Sequence, residues 1–167
     1  MKWRIALSLL FALVLANSFM AQIDSTATLW RDIMKSDSLL FEVGFNTCDT
    51  IQMAAMISSD FEFYHDISGK TGSKDEFMND IRSGLCSMNY QAIRKLDLST
   101  VEMHTFAEKG VIYAVLQNGE HGFYKTLENG TEVLTSVGRF SHLWILDENS
   151  WHLSRAYSFD HQIPDRD

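Results

Sequence analysis

The sequence predicts an α+β domain whose helices precede most of its strands. Three observations support this class. Apolar residues between about Asp24 and Asn46 recur at helical spacing, Ser73-Lys74-Asp75-Glu76 carries a helix-start signature, and from Tyr90 onward apolar and polar residues alternate between turn signals.

The elements follow in order. From Asp24 or Ser25, either a suitable N-cap, Leu29, Ile33, Leu40 and Val43 fall on one stripe. Trp30, Met34, Phe41 and Phe45 fall on its neighbour, giving a wide apolar face. Asp49-Thr50 caps a short second helix carrying Ile51, Ala54, Ala55 and Ile57. Asp60 to Asp66 alternates with period two and reads as a strand, with Gly69 and Gly72 in the loop behind it. Ser73 and Glu76 then form a capping box, opening a helix whose Phe77, Ile81 and Leu85 are spaced by four. Four strands complete the chain. The first, Tyr90 to Phe106, has a phase slip near Ser99-Thr100 that predicts a bulge. Glu108-Lys109-Gly110 turns into Val111 to Leu127, and Asn129-Gly130 reads as a two-residue type I′ hairpin. Glu132 to Leu146 follows, then the turn Asp147-Glu148-Asn149-Ser150, then Trp151 to His161.

Composition narrows the class of protein. Of 167 residues 46% are hydrophobic and 12% aromatic, which excludes a disordered chain. The excess of 22 Asp+Glu over 14 Lys+Arg, a formal charge of −8, argues against a nucleic-acid partner, whose phosphates need clustered cations. The single proline, Pro164, lies at the far C-terminus, so no Pro-rich linker divides the chain.

Residues 1–21 read as a signal peptide and 22–167 as a single domain. Met1-Lys2-Trp3-Arg4 is a positive n-region, Ile5 to Leu15 is an uncharged apolar run, and Ala16 and Ser18 place small residues at −3 and −1. Cleavage after Ala21 is the rival site. The apolar run is about half the roughly 20 residues of a membrane span. Loss of the leader removes Lys2 and Arg4 and no acidic residue, which moves the charge from −8 to −10. The expected product is exported, periplasmic or secreted, with no membrane association after cleavage. Cys48 and Cys86 are the only cysteines. Export permits a disulfide, yet a chain of this length builds a core without one, and two buried thiols are the expectation.

The helix–helix–strand–helix–meander order resembles the nuclear transport factor 2-like superfamily. The SnoaL-like and ketosteroid-isomerase-like branch, in particular its exported bacterial members, is the nearest match. The resemblance covers about Ser25 to His161. It rests on the Asp60 to Asp66 strand with Gly69 and Gly72, on Gly138-Arg139-Phe140-Ser141-His142-Leu143-Trp144, on Trp151-His152-Leu153, and on Tyr157-Ser158-Phe159-Asp160-His161. It implies a strongly bent antiparallel sheet wrapped around N-terminal helices, a cone-shaped cystatin-like α+β barrel with a pocket inside. It does not imply one activity, since this fold hosts isomerases, dehydratases, hydrolases, cyclases and binding modules.

Turn chemistry supplies a register. With Asn129-Gly130 as a two-residue loop, Val115 faces Trp144 and Gln117 faces His142. With Glu148-Asn149 as the second loop, Trp144 meets Leu153, His142 meets Arg155 and Phe140 meets Tyr157. Cross-strand partners share a face, so Gln117, Phe140, His142, Trp144, Arg155 and Tyr157 are expected on the concave side, and Phe63, His65 and His161 around the same cavity. These nine residues are the expected ligand-binding set. His65, Asp66, His142 and Arg155 are the catalytic candidates. A bulge in either hairpin would move part of this set to the other face. No metal is expected, because the histidines lie on strands without the spacing of a metal motif, and no cofactor motif appears.

Two functions of different class fit. One is an exported binding or accessory module for a small apolar or aromatic molecule. The other is a cofactor-free isomerase, dehydratase or cyclase using a pocket histidine and carboxylate as general acid and base. Ketosteroid-isomerase-like proteins use a pocket carboxylate as base, and the concave face read here holds none, which favours binding. The opposite face, with Ile112, Ala114, Leu116, Leu143 and Ile145, is apolar enough to pair two copies as a homodimer. Mass spectrometry of the exported protein should find its N-terminus near Phe19 or Gln22; an intact Met1 would count against export.

Overall fold

A computed structural model describes residues 27–164. The expected leader, residues 1–21, lies outside the described residues. Two compact units divide the chain, Met1–Met34 and Lys35–Asp167. In the first, residues 27–34 are helical. Among the described residues no helix is long and apolar enough to cross a membrane.

The second unit opens with helical residues 35–38 and runs directly into a π-helical stretch, α1 (Leu39–Phe45). Asn46 ends it and pins it to the sheet. Its side-chain amide donates to the Arg94 carbonyl at 3.1 Å, and its side-chain oxygen accepts the Arg94 N–H at 2.7 Å. Helix α2 (Thr50–Met56) starts where Asp49 accepts from the amides of Ile51 and Gln52. Its buried residue is Met53, whereas Ile51, one of the apolar residues it carries, is 84% exposed. Ile57 belongs to the following strand, β1 (Ile57–His65), which therefore begins earlier than its alternation suggested. After the short β2 (Gly69–Thr71), α3 (Lys74–Ser83) opens on the expected cap, Ser73 accepting from the Glu76 N–H. The Glu76 carboxylate reaches back one residue further than a capping box requires, to the Gly72 N–H.

Four long strands follow: β3 (Gln91–Glu108), β4 (Val111–Thr126), β5 (Glu132–Asp147) and β6 (Ser150–Gln162). The sheet order is β2-β1-β6-β5-β4-β3. The expected α+β class is observed; the sheet is open, with β2 and β3 as edges, and mixed rather than purely antiparallel, because β1 joins β6 in parallel.

Three bulges set which side chains face inward. In the β5–β6 hairpin Glu148 and Asn149 both adopt positive φ and Asp147 faces Ser150, as expected, and Trp144 faces Leu153. Then Ser154 is inserted without a partner, so that Leu143 faces Arg155 and His142 faces Ala156. Arg155 and Tyr157 consequently lie on the face opposite His142, a correction to the expected register. There Arg155 pairs with Glu62 at 3.1 Å and donates to the Asp60 carbonyl at 2.7 Å, while Tyr157 stacks on Tyr64 with centroids 5.0 Å apart. The β4–β5 turn also differs: Leu127 pairs with Thr131 around a three-residue loop with Gly130 at φ 80°. A second bulge at Thr135 restores the count, and Gln117 still faces His142. The two slips cancel. A third bulge falls at Asp160, whose φ of 56° is left-handed, between the Arg139–Phe159 and Val137–Gln162 pairs. The expected slip near Ser99-Thr100 appears as a break between the Asp97 and Glu102 pairs.

Cys48 and Cys86 form a disulfide, correcting the expectation of free thiols; it ties the α1–α2 turn to the segment after α3. The bond closes a separation of 38 residues, which in chain-entropy terms is worth about 4 kcal/mol. Reduction should therefore lower the urea midpoint by a shift equivalent to roughly that amount, whereas an unchanged midpoint would show that the link adds nothing to stability.

Candidate functional site

Helices and sheet of the second unit enclose an apolar cavity of about 480 Å³. Phe41 and Phe45 of α1, Phe61 and Phe63 of β1, and Phe77 and Ile81 of α3 form much of its wall. α3 presents Phe77 and Ile81 to the cavity; Leu85, expected on the same helix, lies beyond its end at Ser83, in a following 3-10 turn, and lines the cavity from there. Polar side chains in its lining include His65, His121, His142, Ser158 and His161, with Thr135, Ser136, Tyr90 and Tyr124.

Of the expected ligand-binding residues, Phe63, His65, His142 and His161 line the cavity. Gln117, Phe140 and Trp144 are buried behind it. Trp144 Nε1 donates to Gln117 Oε1 at 2.7 Å, and Gln117 Nε2 donates to Asp37 at 3.4 Å. Arg155 and Tyr157, turned out by the Ser154 bulge, do not line it. The expected row of Gln117, His142 and Arg155 is thus not a network.

An ion pair occupies its place. Arg94 on β3 donates to the Asp37 carboxylate at 2.7 Å, both side chains almost wholly buried, and lies over the Phe41 ring at 3.9 Å. Burial pushes the Asp37 carboxyl above its ordinary range against the pull of Arg94. Arg94 Nε also donates to His121 Nδ1 at 3.2 Å. Arginine has only donors, so the proton of neutral His121 sits on Nε2. That ring is pushed down to about 3, first by burial and then by Arg94, and is uncharged at neutral pH.

From His121 the hydrogen bonds run to the protein surface. His121 Nε2 lies 3.4 Å from Ser158 Oγ, and Ser158 Oγ lies 3.2 Å from His161 Nε2. His161 Nδ1 meets Asp66 Oδ1 at 2.5 Å, and the His161 N–H donates to Asp66 Oδ2 at 3.2 Å. Those two bonds outweigh desolvation and hold the Asp66 carboxyl below its ordinary value. With Asp66 ionised, the His161 proton sits on Nδ1, Nε2 accepts from the Ser158 hydroxyl, and Ser158 accepts from His121. Each donor meets one acceptor in a single direction.

The backbone places His161 with care. The left-handed bulge at Asp160 turns it under the sheet, and Gly138 leaves the room: a Cβ there would lie 2.9 Å from the His161 ring. His65 stacks on it at 4.3 Å, its Nδ1 accepting from the Ile67 and Ser68 amides. His65, Asp66 and His161 are close enough to hold a metal, but the Nδ1 lone pair of His65 is engaged by those amides and His161 Nδ1 faces Asp66, so the donor set suits a hydrogen-bonded relay better.

His142 is different. It packs against Phe41 and Phe140 with centroids 5.3 and 4.3 Å away, and its Nδ1 is buried without a hydrogen-bond partner among the described residues. Sequence reasoning placed it correctly but gave it the wrong neighbour. It missed Asp37, Arg94, His121 and Ser158; Asp37 and Arg94 could have been singled out only as charges interrupting apolar patterns.

No family model matches this sequence, and no curated protein does at a significant level. Solved structures do match. A nuclear transport factor 2-like superfamily protein from Salmonella enterica serovar Typhimurium aligns with TM-score 0.63 at 16% identity, over 84% of this chain and 94% of that one. Aln2 from Streptomyces gives 0.64 at 10% identity, over 78% and 89%. The chain has the nuclear transport factor 2-like fold. A cystatin-like protein from Nostoc punctiforme, with TM-score 0.56 at 12% identity over 76% of this chain and 86% of that one, agrees with this assignment.

Burial also fixes how stability depends on pH. In the unfolded chain each histidine takes a proton near 6.5, whereas folded His121 resists down to about 3 and buried His142 is likewise held well below its ordinary value. Between those limits the unfolded state binds more protons, so stability falls as pH falls, by up to about 1.4 kcal/mol per pH unit per histidine. Urea unfolding from pH 7 to about 5.5, above the ordinary carboxylate range, should show this slope, reduced by one histidine's share in His142→Leu; a flat profile would mean the histidines charge inside the fold.

Proposed function

We propose that this protein is an exported domain that holds a small, neutral, apolar or aromatic molecule. The observation that carries the reading is the 480 Å³ cavity, lined mainly by aromatic and aliphatic side chains and reached by a few polar ones. That size and lining are usual for small-molecule sites. His142, uncharged and without a hydrogen-bond partner on Nδ1, favours a ligand with one polar group over a pure hydrocarbon. The ligand-facing set is Phe63, His65, His142 and His161, joined by His121 and Ser158.

A second reading, general acid–base chemistry on the bound molecule, is supported by the His161–Asp66 contact at the cavity edge. It supplies the pocket histidine and carboxylate that such chemistry needs.

The binding reading is tested with 1-naphthol and naphthalene. Both should bind, the naphthol more tightly by about fivefold, the worth of one net hydrogen bond. His142→Leu should erase that preference while leaving the melting temperature unchanged or higher, since it removes an unsatisfied buried polar atom that costs about 1–3 kcal/mol. Failure of both compounds to bind would refute the reading.

We also propose a homodimer through the outer sheet face, where Ile112, Leu116, Leu143 and Ile145 are half-buried in the single chain. Light scattering at micromolar concentration should give twice the chain mass; a monomer would argue against this face as an interface.

A further inference from the structure

We propose that Ser158, His161 and Asp66 form a nucleophile–base–acid triad for acyl transfer, acting on a small ester whose apolar acyl group sits in the cavity. The proposal rests on the cavity reading above. Its own support is geometric. Ser158 is 5% exposed and lines the cavity. Its Oγ lies 3.2 Å from His161 Nε2, and the other nitrogen of that ring meets the Asp66 carboxylate at 2.5 Å. These are the two contacts that activate a serine hydroxyl: a base on the proton, and a carboxylate that fixes the base's tautomer. The direction follows from Asp66, which claims the Nδ1 proton and leaves Nε2 to accept from Ser158, while His121 Nε2–H, oriented by Arg94, occupies one of the acceptor positions on the serine oxygen.

The arrangement is also costly for a merely structural role. A non-glycine residue in left-handed conformation at Asp160, a glycine at 138 that makes way for the ring, and a buried histidine-serine contact all serve to place one imidazole. Backbone strain of this kind concentrates at functional sites. A strand end could have been closed by backbone hydrogen bonds alone.

In the step proposed, Ser158 Oγ bonds to the ester carbonyl carbon as its proton passes to His161 Nε2. His121 Nε2–H lies 3.4 Å from Ser158 Oγ, and in this step it is the donor that serves the oxyanion developing on the ester carbonyl oxygen. The carbon–oxygen bond to the leaving group breaks, and His161 returns the proton to the departing alkoxide. Water then attacks the acyl-serine, giving a proton to His161 and a bond to the carbonyl carbon. The bond from the carbonyl carbon to Oγ then breaks, His161 returns the proton to Oγ, and the acid leaves with the Ser158 hydroxyl restored.

An alkyl fluorophosphonate tests this directly, because it phosphonylates only an activated serine: the P–F bond breaks, a P–O bond forms at Oγ, and fluoride leaves. Treatment of the full chain should add one phosphonyl group, mapped by peptide mass spectrometry to Ser158. Phenyl butyrate hydrolysis should be lost in Ser158→Ala. His161→Gln should slow labelling by at least about 100-fold. Asp66→Asn, the milder change, should do the same with an unchanged melting temperature and unchanged 1-naphthol binding, because it reverses the tautomer without removing the hydrogen bond. It decides the matter if His161→Gln does not fold. Absence of an adduct on Ser158 in protein that binds 1-naphthol overturns the triad and leaves the cavity reading standing. An adduct formed equally fast in Asp66→Asn also overturns the triad. Labelling at Ser158 without naphthol binding upholds the triad and refutes the neutral-ligand reading, and absence of both refutes both.

Discussion

The buried pair between Arg94 and Asp37 organises the interior of the second unit. Taking two charges out of water costs several kcal/mol per ion, recovered only when geometry and surrounding hydrogen bonds are good. Here the 2.7 Å contact is backed by Gln117 on the carboxylate, by Phe41 beneath the guanidinium, and by Asn46 on the backbone of Arg94 itself. The pair therefore joins the helical segment to β3 at one fixed point. It also acts at a distance. Burial, reinforced by the cation beside it, keeps His121 neutral, and the Arg94 donor settles which nitrogen carries its proton. Asp66 fixes the other end, by claiming the Nδ1 proton of His161, and the two ends together set the direction of the bonds between them.

Single-residue bulges are the second device. A strand has period two, so one inserted residue exchanges the faces of everything beyond it. Ser154 sends Arg155 and Tyr157 outward and brings Ala156 and Ser158 inward. Asp160 then turns His161 back under the sheet beside Ser158. Without the first bulge Ser158 would face out and an arginine would enter the apolar interior. The outward residues are provided for, since parallel pairing with β1 sets Glu62 opposite Arg155 and Tyr64 opposite Tyr157.

The cavity thus has two kinds of histidine. His142 sits among aromatic rings, uncharged and, among the described residues, unpaired at Nδ1, and behaves as a flat, weakly polar wall. His161 is joined at both nitrogens, to a carboxylate and to a hydroxyl. A ring of the first kind can contribute shape and one weak polar contact, while the second can move a proton. The sequence placed both on strands without telling them apart, because the difference lies in their neighbours.

Much of the architecture was legible in the sequence because it depends on short-range chemistry. The Ser73 and Asp49 caps, the Glu148-Asn149 turn and the slip near Ser99-Thr100 all involve residues a few positions apart, and the α+β order followed from them. The nuclear transport factor 2-like resemblance of the strand segments was matched by the fold. Asn129-Gly130 misled because the dipeptide serves a three-residue loop as well as a two-residue one, and only the compensating bulge at Thr135 kept Gln117 opposite His142. The disulfide depended on bringing together cysteines 38 residues apart. The site was decided by tertiary structure in the same way. Asp37 and Arg94 are 57 residues apart, and Asp66 and His161 are 95 apart. Each pair is made by strand pairing and by bulges whose positions depend on which groups can be satisfied inside. Local sequence determined which elements form; packing of the whole chain decided which charges and rings meet.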